Sequence, residues 1–187
     1  PLPRSLTTLL QPMQMAASGD RPDPRFERKC PAKALEDISG TIAYGHVYDA
    51  EFVMAAHWIV SRECIQTVGG FSPAFPHYGE DDNWLHRAFY HGFKVGFVAG
   101  VPAVHDRENR PVTKEFRMRL KCVGSLVKIS NPSSCLALRF VLQPLEMLAI
   151  SMMYRSFHVL KQVVPMIRRY PELKSCRSQS KKKGAFL

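Results

Sequence analysis

The sequence predicts an α/β fold, because strand and helix patterns alternate between residues 41 and 110. The apolar run Phe52–Val60 is bounded by charged residues and indicates a buried strand. In Asp82–His91 the apolar residues Leu85, Ala88 and Phe89 recur at helical spacing, and Gly92 ends the pattern. Acidic residues lie between these two segments. The predicted order is strand, helix, acidic loop, helix, strand.

The remaining elements of this region are short. Ser61-Arg62-Glu63 has the composition of a helix start, and the following helix, Cys64–Val68, is closed by Gly69-Gly70. The segment from Phe71 to Tyr78 contains two prolines and is predicted to be a loop. Two further extended segments are predicted, Lys94–Ala99 and Pro102–His105.

The two flanks differ from this central region. Residues 1–40 contain six prolines, which predicts an extended, partly disordered arm. Residues 111–187 predict a helical extension that starts near Thr113 and is interrupted at Asn131-Pro132. Its most apolar stretch, Leu136–Val164, contains Arg139, Pro144, Glu146 and Arg155, which argues against a simple membrane-spanning helix. The tail Glu172–Leu187 is predicted to be disordered.

The charge is unevenly distributed. The net charge is −2 over residues 1–110 and +12 over residues 111–187, which sums to the +10 of the whole chain. An anionic partner is therefore expected in the C-terminal part. Three interpretations stay open: a helical extension packed on its own domain, an anionic membrane surface, or a nucleic-acid patch. No nucleic-acid partner is expected, since aromatic and basic residues do not interleave there.

Five cysteines at irregular spacing, with no Cys-x-x-Cys, fit neither a disulfide framework nor a zinc ribbon. Reduced thiols and the absence of a continuous apolar core in Pro1–Asp20 predict a cytoplasmic location. The chain begins with proline rather than methionine, so we expect processing or a longer parent.

The acidic triplet Glu80-Asp81-Asp82 is the first candidate site. A carboxylate at a helix N-terminus is stabilised in its ionised form by the backbone N–H groups. Such a carboxylate can accept a proton from an alcohol as the alcohol attacks an electrophile. A second interpretation stays open, since acidic residues at helix starts are also common as simple caps.

A longer series of motifs resembles the second, acceptor-binding half of family-2 glycosyltransferases of the GT-A fold, which is Rossmann-like. The series comprises Phe52–Glu63, Val68-Gly69-Gly70-Phe71, Tyr78–Asp82 with Arg87, Gly92-Phe93-Lys94-Val95 and Val104-His105. The resemblance implies that residues 41–110 are the acceptor-side half of a catalytic domain. It implies an inverting sugar transfer with Asp81 as the base and Glu80 supporting the acceptor. Further acceptor contacts are expected from Tyr78, Asp82, Trp84 and Arg87.

The resemblance also implies a divalent ion, Mg²⁺ or Mn²⁺, completed by His105; a hydrogen-bonded structural role for His105 stays equally open. Two departures are visible. Asn83 stands where many relatives have Asp, and no Asp-x-Asp occurs in the chain. The N-terminal, donor-binding half is therefore expected to be missing from this sequence.

Taken together, the sequence predicts an enzyme of polysaccharide biosynthesis. It would transfer a sugar from a nucleotide-sugar donor to a glycan or a lipid-linked acceptor, and would be cytoplasmic and peripheral on the inner face of the membrane. The alternative is a non-catalytic, truncated transferase module that binds a carbohydrate or a membrane surface.

Overall fold

A computed structural model describes residues 8–12, 47–53, 55, 57–98, 113–161 and 163–187. Most of these residues are helical, and the strands are short. The elements in chain order are β1 (Thr8–Pro12), β2 (Val47–Asp49), α1 (Arg62–Val68), α2 (Glu80–Tyr90), β3 (Lys94–Val98), α3 (Lys114–Ser130), α4 (Leu136–Tyr154), α5 (His158–Lys161), α6 (Val163–Arg168) and α7 (Tyr170–Ser180). The expected mixture of helix and strand is present, with helix dominant.

The described strands form one small sheet in the order β1-β3-β2. β3 is central: β1 pairs with it in parallel, with Thr8 opposite Lys94, and β2 pairs antiparallel, with Val47 opposite Val98. β1 lies within the predicted N-terminal arm. The rest of that arm, residues 1–7 and 13–40, is outside the described residues.

The prediction of a strand over Phe52–Val60 was wrong. The strand lies earlier, at β2, and the chain leaves the sheet after the Ala50 N–H donates to Val95 O at 2.8 Å. Among the described residues of this run, Phe52 and Val53 are buried outside any strand, and Ile59 makes an isolated strand-type bridge. An apolar run reports burial, and a buried irregular segment satisfies the same pattern.

The local helix and strand predictions were largely confirmed. Ser61 caps α1 by accepting a hydrogen bond from the Cys64 N–H at 3.1 Å, and the helix ends at Gly69 with φ of 86°. α2 begins at Glu80, two residues before the predicted start, and Phe89 is exposed rather than inward-facing. β3 covers Lys94–Val98 of the predicted Lys94–Ala99, and Ala99 lies outside the described residues. Pro102–His105 lies outside the described residues.

Two apolar clusters form the core of the described part. The first joins α1, α2 and β3 through residues such as Val68, Leu85 and Val95. Cys64 is buried in it, and burial raises the pKa of that thiol to about 12. The second cluster joins α3, α4 and α7. The four cysteines of the described part are free thiols.

The C-terminal tail was wrongly predicted to be disordered. Tyr170–Ser180 is helical, and the residues after it pack across the end of α1. The Gly70 N–H donates to Ala185 O at 2.9 Å, and the Gly184 N–H donates to Thr67 O at 2.8 Å. Glycine permits this approach: a Cβ on Gly69 would lie 1.7 Å from Ala185 O. Although the tail is basic, it packs on the Thr67–Gly70 segment, which lies more than 100 residues earlier in the chain.

Candidate functional site

The acidic triplet is positioned by a tight turn at the start of α2. Gly79 is the N-terminal cap of the helix, with φ of 85°. A Cβ at this position would lie 2.7 Å from side-chain carbons of both Val123 and Val127 on α3. Two separate reasons therefore require glycine at position 79: its left-handed backbone conformation and the close contact between α2 and α3.

Tyr78, directly before this glycine, also has a left-handed backbone, with φ of 67°. For a residue with a side chain, this conformation costs about 1–3 kcal/mol and persists only where the surroundings impose it. The ring of Tyr78 meets that of Phe116 edge to face, with centroids 5.4 Å apart, and lies 4.0 Å from the ring of His77. The guanidinium of Arg119 is 5.9 Å from its centroid. These contacts hold the strained turn in place.

A small cavity of about 80 Å³ separates the start of α2 from α3. Its lining residues are Tyr78, Gly79, Glu80, Asp81, Asp82, Leu120, Val123 and Gly124. Four of the residues predicted for the site are thus brought together: Tyr78, Glu80, Asp81 and Asp82. A space of this volume is large enough to hold small polar groups.

The carboxylates at this cavity are held by the helix start. Asp81 Oδ1 accepts a hydrogen bond from the Asp82 N–H at 2.8 Å. The Glu80 carboxylate has one oxygen, Oε2, that is buried and has no hydrogen-bond partner within the described part of the chain. Buried polar atoms are normally hydrogen-bonded. A ligand hydroxyl in the cavity would supply the donor that this oxygen requires.

Trp84 and Arg87, both expected at the acceptor, do not line the cavity. The indole N–H of Trp84 donates to Gly69 O at 2.9 Å, and its ring centroid lies 5.3 Å from that of Trp58, with the ring planes tilted by 45°. Both side chains are buried and bonded within the fold, and the acceptor contact expected for them stays a prediction. They are three positions apart on α2, which places both on the side that packs against α1.

Arg87 connects three parts of the chain. It is fully buried and donates to Val68 O at 2.7 Å and to Gly70 O. Its guanidinium lies 4.9 Å from the ring centroid of Phe186 in the C-terminal tail. Burial lowers the pKa of Arg87 to about 10, which still leaves the side chain charged at neutral pH. Arg87 therefore fastens the Gly69-Gly70 turn and the tail to α2.

Asn83 has a role that the sequence did not reveal. Its side chain is fully buried, and Nδ2 donates to Ser130 Oγ at 3.0 Å. Ser130 Oγ in turn donates to Val127 O at 2.9 Å. Asn83 thus holds α2 against the end of α3. A buried amide in an otherwise apolar position was the available signal.

The second wall of the cavity was also missed. Leu120, Val123 and Gly124 come from α3, about forty residues after the acidic triplet. Gly124 was the one available signal, because a glycine within an apolar helical pattern often marks a close approach or an opening. A Cβ at Gly124 would meet nothing within 4 Å.

The predicted metal site is not formed by the residues that can be described. His105 lies outside them, and within them no group of three His, Cys, Asp or Glu side chains is arranged to hold an ion. Mg²⁺ or Mn²⁺ at His105 stays a prediction.

Compared with models of known protein families, with curated proteins and with solved structures, the chain matches none. The functional conclusion consequently rests on the motifs and on the geometry of the cavity.

Proposed function

We propose that this chain forms the acceptor side of an inverting glycosyltransferase of the GT-A type. The observation that carries the proposal is the cavity at the start of α2, where Glu80, Asp81 and Asp82 border a space beside a buried, unpartnered carboxylate oxygen. The motif resemblance supports the same assignment. It implies that the nucleotide sugar would be held by a Rossmann-like donor half that is missing from this sequence, with Mg²⁺ or Mn²⁺ and His105 completing the site.

The reaction proceeds as a single displacement. An acceptor hydroxyl enters the cavity, and the Asp81 carboxylate accepts its proton as the oxygen bonds to the anomeric carbon. The bond from that carbon to the donor phosphate oxygen breaks at the same time, and the nucleoside diphosphate leaves with the electron pair. The attack comes from the face opposite the leaving group, so the configuration inverts.

The other cavity residues position the acceptor. Glu80 accepts a hydrogen bond from the acceptor through its buried oxygen, while Asp82 extends the acidic edge. The strained Tyr78 presents an aromatic ring beside the carboxylates, as sugar-binding surfaces commonly do. The acceptor class is a glycan or a lipid-linked sugar of a polysaccharide pathway.

The competing proposal is a non-catalytic transferase module that only holds a carbohydrate. It is favoured by one observation: Trp84 and Arg87, expected to contact the acceptor, are used to hold the fold. The cavity and the acidic turn would then serve binding alone.

The test is transfer by the full-length product of the gene that encodes this chain, supplied with a panel of nucleotide sugars, Mn²⁺ and glycan acceptors. We expect Asp81→Asn to lower kcat by about 100-fold or more with little change in acceptor KM, because the amide has the same size but cannot take the proton. Glu63→Gln is the matched control, since Glu63 is an exposed carboxylate in the first turn of α1.

Turnover by Asp81→Asn within threefold of the unchanged protein would remove Asp81 from the base role. Acceptor binding without transfer by any donor in the panel would favour the non-catalytic module. Loss of activity in Glu63→Gln as well would show that the effect comes from general electrostatics rather than from the cavity.

A further inference from the structure

The longest helix, α4, has an exposed apolar side that the proposed function leaves unused. Of the helices in the described residues, α4 alone has the length and apolar composition of a membrane-spanning segment. Its exposed residues on this side are Leu138, Val141, Leu142, Leu145, Leu148, Ala149, Met152 and Met153. At 3.6 residues per turn they fall within about 140° of the helix circumference. No charged side chain interrupts this face, which we call the α4 face.

The opposite side of α4 is occupied by the protein itself. Met147 and Ile150 are buried against the second core cluster, and Gln143 is buried beside them. Glu146 is paired with Lys128 of α3. The α4 face is therefore exposed because the helix is already packed on its other side.

The segment that contains this face is basic. Residues 136–169 contain five Lys/Arg and one Asp/Glu. The carboxylates of Glu146 and Glu172 are neutralised by ion pairs with Lys128 and Arg169, so the surrounding excess is positive. Phe157, three residues past the end of α4, is 80% exposed and extends the apolar surface beside Arg155.

We propose that the α4 face is a peripheral docking surface for an anionic lipid bilayer. An amphipathic helix with an apolar face and flanking cations lies in the interface, with its apolar side in the acyl boundary and its cations at the headgroups. The net positive charge of this segment favours an anionic bilayer over a second copy of the protein. A second copy would bring an equally basic surface and be repelled, whereas an anionic bilayer attracts the cations. One side of α4 is fixed on α3, so the helix lies along the membrane surface. This inference is independent of the proposed sugar transfer.

The test is flotation of the intact protein with phosphatidylcholine vesicles, with and without phosphatidylglycerol. We expect flotation with the anionic vesicles, weaker flotation with the neutral ones and release at high salt, because salt screens surface charges. The double variant Val141→Gln/Leu145→Gln should weaken binding by at least tenfold, and Lys161→Gln/Arg168→Gln should weaken it with anionic vesicles alone, each cation contributing about fivefold.

Ile65→Gln/Phe71→Gln is the matched control, since both residues are exposed apolar side chains far along the chain from α4. Circular dichroism establishes that each variant is folded. Four results would overturn the proposal. The first is a protein that stays in the soluble fraction with both kinds of vesicle, and the second is a dimer in solution that the Val141→Gln/Leu145→Gln variant dissociates. The third is binding that resists alkaline carbonate extraction, which would mean a spanning helix, and the fourth is an equal loss of binding in the control.

Discussion

Gly79→Ala should destabilise the protein more than the same change at a glycine with an equal backbone angle and open surroundings. Gly79 and Gly92 both have φ of 85°. An alanine at either site pays about 1–2 kcal/mol for the left-handed backbone. At Gly79 the new Cβ also lies 2.7 Å from side-chain carbons of Val123 and Val127, whereas at Gly92 it meets nothing within 4 Å.

Overpacking a fixed contact costs about 1–3 kcal/mol. The free energy of unfolding should therefore fall by about 3 kcal/mol in Gly79→Ala and by about 1 kcal/mol in Gly92→Ala. Urea unfolding followed by circular dichroism measures both values. Because α2 must move away from α3, the Gly79 variant should also lose transfer activity. Equal destabilisation of the two variants would refute the close contact between α2 and α3, and with it the cavity geometry.

Two further predictions concern the C-terminal tail and its neighbours. Phe186→Leu removes the ring beside the Arg87 guanidinium and should lower the free energy of unfolding by about 1–2 kcal/mol. Leu187→Ala, on an exposed side chain, should have little effect. Equal urea midpoints of the two variants would contradict the packing of the tail on Arg87. Burial lowers the pKa of His91, whose Nε2 lies 3.2 Å from Ser180 O. The unfolded chain therefore binds a proton at this histidine at a higher pH than the folded chain does. Its contribution to stability is present above about pH 6.5 and is lost as the pH falls below that value. The urea midpoint should therefore drop more between pH 7.5 and 5.5 in the unchanged protein than in His91→Gln, and equal drops would contradict this assignment.

The elements that could be predicted are those with local signals. Ser61 and Gly69 bound α1, Thr113 caps α3, and Asn131 follows its last residue, so each boundary is fixed by neighbours a few residues away. The apolar run Phe52–Val60 carried no such signal. Its first residues, Phe52 and Val53, are buried, whereas Ile59 is 62% exposed, and the strand that pairs with β3 lies before the run.

Half of the site was likewise visible in the sequence. Consecutive carboxylates after a glycine marked one wall of the cavity, but the wall from α3 depends on packing between elements about forty residues apart. The same holds for Trp84 and Arg87, whose partners are backbone carbonyls of the turn after α1. Sequence spacing gives the helix face of such residues, and only the packed structure gives their partners.

We propose that the cavity between α2 and α3 receives the acceptor, and a Gly124→Leu variant would fill that cavity. Gly124 lines the cavity, and its missing side chain leaves open space. Leucine is favoured over glycine in a helix by up to about 1 kcal/mol, so the fold should keep or gain stability. The measurement is acceptor turnover at fixed donor, with Gly124→Ala as the smaller control. We predict at least a tenfold loss of kcat/KM for Gly124→Leu, with an undiminished urea midpoint. Unchanged turnover in a stably folded Gly124→Leu protein would contradict the assignment of the cavity as the acceptor site.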